Sequence, residues 1–241
     1  FVLAVGGGSV IDSAKAIATG ALDDGELWDF YAGKRQPTKA LPVGTVLTIA
    51  AAGSEGSTGS VITNEETEEK NSIGGDFLRP KFSIMNPELT MTLPTYQKAC
   101  GVTDMMIHVF ERYFTNTPDV YLTDQICISI LKTCIKYGPA LVADATDYTA
   151  HAQIMWAGTL AHNDICNGGR EEDWTSHALQ APIGAKYDSA HGAGLACMSP
   201  AWMKQIYKRA LPRFVQYATQ VWGIENDVFD PEGVALKGIQ A

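Results

Sequence analysis

A chain of 241 residues, 46% hydrophobic and 19% charged, has the length of one large or two ordinary domains. Its 18 Lys and Arg against 27 Asp and Glu leave a net charge of −9 with no basic cluster, which argues against a nucleic-acid partner. The five cysteines, Cys100, Cys127, Cys134, Cys166 and Cys197, lack Cys-x2-Cys spacing and read as reduced core thiols of a cytoplasmic protein. No signal peptide is expected ahead of the first strand, and no apolar run approaches the roughly 20 residues of a membrane span, so no membrane partner is expected.

The apolar run Phe1-Val-Leu-Ala-Val5 reads as a buried strand. Gly6-Gly7-Gly8-Ser9 follows, and then Val10 to Ala18 with helical periodicity, giving strand, glycine turn and helix. Such a turn lets backbone approach a ligand, and free N–H groups at the helix start favour a phosphate; a plain connection is the alternative. Asp12 is expected in the first turn of that helix, complementing its dipole. Pro42 to Ala50 is a second strand, leaving through the small-residue loop Ala51 to Gly59, so two glycine-rich strand exits point to one nucleotide cleft. Ser60–Thr63 and Asn71–Ile73 read as a hairpin around the acidic turn Asn64 to Lys70, and Phe82–Met85 as a last short strand closed by Asn86-Pro87.

Beyond Leu93-Pro94 strand signals vanish. Helices are expected near 94–114, 119–137 (ended by Gly138-Pro139), 148–163, 171–181, 191–207 and 210–222, with a further helix barely begun from Pro231. The expected architecture is a partial α/β Rossmann-like domain, residues 1–90, followed by an all-helical domain, residues 91–241, truncated at its C-terminus. Both ends of the chain read as cut.

Within the first long helix Asp104 and His108 stand four residues apart and so share a face. Met105, Met106, Ile107, Val109, Phe110, Tyr113 and Phe114 make that helix apolar nearly all round, so both polar groups are expected to be buried and to need a partner: a metal, or an internal ion pair. His177 and His191 lie close together further along. Asp104, His108, His177 and His191 would form a set of three imidazoles and one carboxylate, suited to Fe(II), Zn, Co or Ni better than to Mg or Ca, and drawn from three helical segments. Glu111 lies on the same stripe and would either hold a ligand from behind or pair with Arg112 or another base. His151 and His162 fall outside the set, His162 as a cap or polar contact.

These motifs resemble the iron-containing alcohol dehydrogenases, particularly their butanol-dehydrogenase-like and aldehyde-reductase-like branch, which has a dehydroquinate synthase-like architecture. The resemblance runs along essentially the whole chain. It is carried by Val5 to Lys15, Gly53-Ser-Glu55, Asn86 to Pro94, Gly101-Val-x-Asp104-x3-His108-x2-Glu111-x-Tyr113, His177 and His191-Gly192. It implies that Asp104, His108, His177 and His191 hold a catalytic Fe(II), or alternatively Zn. For the cofactor, NAD or NADP, it implies that Gly7, Gly8 and Ser9 meet the pyrophosphate, with Asp12 beside them. Thr48 and Lys70 would lie near the nicotinamide and its ribose, and Leu89 would make a further contact. The activity implied is hydride transfer between a nicotinamide and a small aldehyde or alcohol such as butanal, in a homodimer. A glycerol dehydrogenase-like or dehydroquinate synthase-like enzyme of the same fold, and an inactive fragment, are the alternatives. In two places the chain departs from the family pattern: Ala181 stands where a second, non-ligand histidine is usual, and Ala52 where a threonine is usual.

Overall fold

The computed structural model describes residues 1–241. Strand β1 (Val2–Gly6) pairs in parallel with β2 (Val43–Leu47), which pairs in parallel with β5 (Phe82–Ile84), so β2 is central. Helix α1 (Gly8–Gly20) covers one face, where Ala4, Ile11, Ala14, Ala18, Val43 and Leu47 form a small core. The other face is open. Leu3 and Phe82 align across Gly44, Val5 and Ile84 across Val46, and all four of these larger side chains are about half exposed. The buried strand expected for residues 1–5 is therefore buried on one face only.

A short helix α2 (Trp28–Tyr31), unforeseen in the sequence, joins Ala16, Ile73 and Leu78 in a second small core. The hairpin strands β3 (Gly59–Asn64) and β4 (Glu69–Gly74) are longer than the alternation of side chains implied. The turn shrinks to residues 65–68, with Asn64 Oδ1 accepting from the N–H groups of Glu66 and Thr67. Lys70 thus belongs to a strand, paired with Thr63, and not to the turn.

After Ile84 every element is helical: α3 (Thr95–Tyr113), α4 (Tyr121–Ala143), α5 (Tyr148–His162), α6 (Thr175–Tyr187), α7 (His191–Ile206), α8 (Leu211–Gln220) and α9 (Pro231–Gln240). Two expected ends fail. Helix α4 runs on through Gly138-Pro139 because Leu141 and Ala140 continue its apolar stripe into the core. Helix α6 likewise passes Pro182 and runs to Tyr187, although none of its residues beyond the proline is buried. Over 18 residues α4 also reaches a mean hydropathy of 1.4 and is long enough to cross a membrane, contrary to expectation. Here Cys127, Ile128, Ile130, Leu131 and Cys134 on α4 point into the 26-residue core of the bundle.

The two parts interlock through residues 50–59. Lys15 is fully buried, and its Nζ donates to the carbonyls of Ser54 (2.8 Å), Ser57 (3.1 Å) and Gly59 (2.7 Å). From the same loop Glu55 accepts from Thr159 Oγ1 of α5 at 2.5 Å. A Cβ on Gly101 would lie 2.3 Å from Ala50 O, so α3 presses directly against the loop where only glycine fits.

Candidate metal centre

Asp104 and His108 meet as one helical turn dictates. His108 Nε2 lies 3.3 Å from Asp104 Oδ1, and both side chains are almost fully buried. Helix α6 brings His177 Nε2 to 3.6 Å from the same oxygen, and the first residue of α7 brings His191 Nε2 to 3.7 Å. The donor atoms of Asp104, His177 and His191 all lie within 4.8 Å of one another, and His108 approaches the shared carboxylate beside them.

The second layer of partners is equally specific. Glu111 on α3 takes the Nδ1 of His177 and also accepts from the backbone N–H groups of Ser176 and His177, so it caps the start of α6 while turning the ring's Nε2 inward. Of its two expected roles Glu111 has the first: it stands behind a histidine and does not pair with Arg112. His191 Nδ1 lies 2.6 Å from Gln180 Oε1. Arg112, with its side chain 1% exposed, donates to His108 O and to His162 Nδ1, and its guanidinium stacks 4.5 Å from the ring of Trp174. His162 is therefore a polar contact at the end of α5, yet its ring lies 4.2 Å from that of His108. Trp174 presents ring contacts to His108, His162 and His177. Neither Arg112, Gln180 nor Trp174 carries a local sequence signal, since each acts across helices.

Electrostatics single out one ring. Burial works against a charge on His177, but the carboxylates of Asp104 and Glu111 outweigh it and raise its pKa to about 9. Burial lowers His191 to about 4 and His162 to about 3, and holds His108 well below the usual imidazole value. Burial alone would raise Asp104, but the surrounding histidines, His177 first, hold it below the usual carboxylate value. The centre thus favours one positive charge between Asp104 and Glu111. Asp104 Oδ1 and His177 Nε2 are both buried without a hydrogen-bond partner, an arrangement that costs stability unless a cation takes both. Two imidazole nitrogens and the carboxylate oxygen lie together, with His108 Nε2 bordering that oxygen, and such a mixed nitrogen and oxygen set fits a borderline divalent ion.

His151 sits apart, with Nδ1 2.6 Å from Thr90 Oγ1 at the link between the strands and the helices. The cofactor candidates surround β1 and β2. Gly7 lies against Ile49 and Gly8 against Ala52, where α1 begins without a side-chain cap, and Ser9 is exposed there. Thr48 follows β2 and donates its N–H to Gly6 O. Asp12 is not in the first turn of α1: it accepts from Ser54 Oγ at 2.5 Å and from Val61 N at 3.0 Å, bracing helix to loop and hairpin. Burial lowers the pKa of Lys70, and the carboxylates of Asp104 and Asp12 oppose the shift; its strand β4 packs against α6, which carries His177. Leu89 is 40% exposed in the turn Pro87–Thr90.

Comparison with known proteins gives a consistent picture. Residues 1–87 match the family described as iron-containing alcohol dehydrogenase, and residues 98–235 match the Fe-containing alcohol dehydrogenase family, C-terminal. NADH-dependent butanol dehydrogenase A of Clostridium acetobutylicum is 44% identical over 227 residues, covering 94% of this chain and 58% of that protein. The NADPH-dependent aldehyde reductase YqhD of Escherichia coli is 35% identical, covering 93% and 59%. The crystal structure of NADH-dependent butanol dehydrogenase A from Thermotoga maritima superposes with a TM-score of 0.94 at 40% identity, covering 99% of this chain and 59% of that one. The chain spans about three-fifths of the length of these relatives.

Proposed function

Since the chain belongs to the iron-containing alcohol dehydrogenase family, we propose that it forms the metal-binding part of a nicotinamide-dependent alcohol dehydrogenase that reduces small aldehydes. The observation that carries this reading is the convergence of His108, His177 and His191 on one oxygen of buried Asp104, with that oxygen and His177 Nε2 both lacking partners. Asp104, His108, His177 and His191 would hold the ion, Fe(II) first and Zn second. When bound, the ion supplies Lewis-acid polarisation of a carbonyl and the nicotinamide supplies a hydride.

What the chain itself does is hold and orient. Glu111 and Gln180 fix the two rings from behind, so that Nε2 of each faces Asp104. The glycine turn at Gly7, Gly8 and Ser9 offers backbone N–H groups for a diphosphate, and Thr48 leaves the neighbouring strand at the same end of the sheet. Lys70 brings a positive charge to bear on Asp104 and His191 and would meet the nicotinamide ribose. Ala181 offers only a methyl, so that position can neither hold nor relay a proton. Relatives named for NADH and for NADPH both match, so NAD and NADP remain alternatives here. A cytoplasmic homodimer is the expected setting.

The test combines elemental analysis of the purified protein with reduction of butanal by NADH and by NADPH, before and after chelation. About one equivalent of Fe or Zn, and turnover lost on chelation, is the expected result. Turnover that survives complete removal of metal would rule the mechanism out.

A further inference from the structure

The imidazoles around Asp104 are not equally enclosed. The side chain of His191 is 31% exposed, against 15% for His177 and 6% for His108, so His191 forms the solvent edge of the centre. The groups behind the rings differ as well. A carboxylate, Glu111, stands behind His177, whereas a neutral amide, Gln180, stands behind His191.

That amide is under an unusual constraint. Gln180 is fully buried, and while its Oε1 accepts from His191 Nδ1, its Nε2 has no acceptor at all. The space around it is tight: a Cβ on Gly184 would come 2.7 Å from Nε2, and one on Gly194 would come 2.8 Å from Cγ. Turning the amide over would place Nε2 on His191 Nδ1. The imidazole would then have to accept at Nδ1 and carry its proton on Nε2, the atom that faces Asp104, and in that tautomer Nε2 cannot ligate. A glutamate of the same shape could only accept, so it would hold the ligating tautomer permanently and make the ring more basic.

We propose that Gln180 is a positioning residue that makes His191 the releasable ligand of the centre: the ion enters and leaves past His191, and the neutral amide, which supports the ligating tautomer less strongly than a carboxylate would, sets how long it stays. This rests on the reading of Asp104, His108, His177 and His191 as a metal site. It adds a division of labour between a fixed ligand, His177, and an exchanging one, His191.

The test loads the purified chain with Co(II) or Zn(II) and follows release into a chromogenic chelator. Gln180→Glu should slow release about tenfold or more and shift the visible Co(II) bands, while Gln180→Leu, which offers no acceptor, should speed release about 10- to 100-fold. Release from Gln180→Glu at the wild-type rate with unchanged Co(II) bands overturns the proposal, whether or not the leucine variant folds. Stoichiometric uptake by the wild type with indifferent variants defeats this inference alone. A wild-type chain that takes up no ion defeats the metal site itself, and this inference with it.

Discussion

Glu111 reaches from α3 to both the ring and the backbone of His177: one oxygen accepts from the N–H groups of Ser176 and His177, the other meets His177 Nδ1. One buried carboxylate therefore caps a helix and orients an imidazole on it. The two roles separate by substitution. Gln can still accept from the backbone but presents only one accepting oxygen, so Glu111→Gln should keep the fold while weakening metal affinity about 10- to 100-fold. Glu111→Ala loses the cap as well and should cost a further ~1–2 kcal/mol in denaturant unfolding. Equal metal affinity in Glu111→Gln and wild type, measured by chelator competition, would show that the ring does not depend on it.

Gly192, directly after His191, has no room for a side chain. Its Cβ would fall 2.1 Å from the carbonyl oxygen of Cys100 and 2.6 Å from that carbonyl carbon, and backbone cannot step aside as a flexible side chain could. Gly192→Ala should push α7 away from α3, costing about 1–3 kcal/mol. His191 would move with it. Thermal unfolding and metal content should fall together, and a variant with unchanged melting temperature would mean that the two helices are free to separate.

Lys15 links stability to pH. Burial is the larger effect on its ammonium, and it lowers the pKa from the ordinary 10.5 to about 8 even though Asp12 and Glu55 oppose the shift. Between those values the unfolded chain binds more protons at this site than the folded one, so this group's contribution to stability rises with pH from about 8 to 10.5 and is flat below 8. Lys15→Met should remove that rise, which denaturant unfolding at several pH values would detect. A wild-type profile that falls across the window as steeply as the variant's would place the titration of Lys15 elsewhere.

Parts of this molecule were legible in the sequence because the relevant geometry is local. Asp104 and His108 sit one turn apart on a helix whose apolar surroundings required burial, and the glycine turn lies between a readable strand and a readable helix. The misreadings have tertiary causes. Pro139 and Pro182 are breakers by propensity, yet each lies inside a helix, and beyond Pro139 the core residue Leu141 carries the helix onward. Lys70 reads as one charge in an acidic turn because the strand β4 is polar, and only its cross-strand pairing with Thr63 takes it out of the turn. Distance along the chain puts Asp12 near a helix start, whereas its carboxylate accepts from Ser54 and Val61, more than forty residues away. Gln180 acts on a histidine of the next helix, and Arg112 on one of another helix as well as one of its own, and nothing near them in the chain marks either role.

The five histidines provide the sharpest check on the centre as a whole. His108, His177 and His191 each place Nε2 within 3.7 Å of Asp104 Oδ1, so alanine at any of them removes a donor that nothing nearby replaces. Metal per chain should fall sharply in all three variants. His151 is occupied with Thr90 and lies outside the cluster, so His151→Ala should keep full metal even if it loosens the link at Pro87–Thr90. His162 is the discriminating case, because its ring lies against His108 while its Nδ1 is taken by Arg112. If its part is to brace Arg112 and, through it, the backbone of His108, His162→Ala should retain about one equivalent of metal but release it faster. If His162 were itself a ligand, its loss would lower metal content as far as loss of His177 does. Elemental analysis of the five alanine variants, purified alike, separates these outcomes, and full metal in any two of His108→Ala, His177→Ala and His191→Ala would show that the ion is held elsewhere.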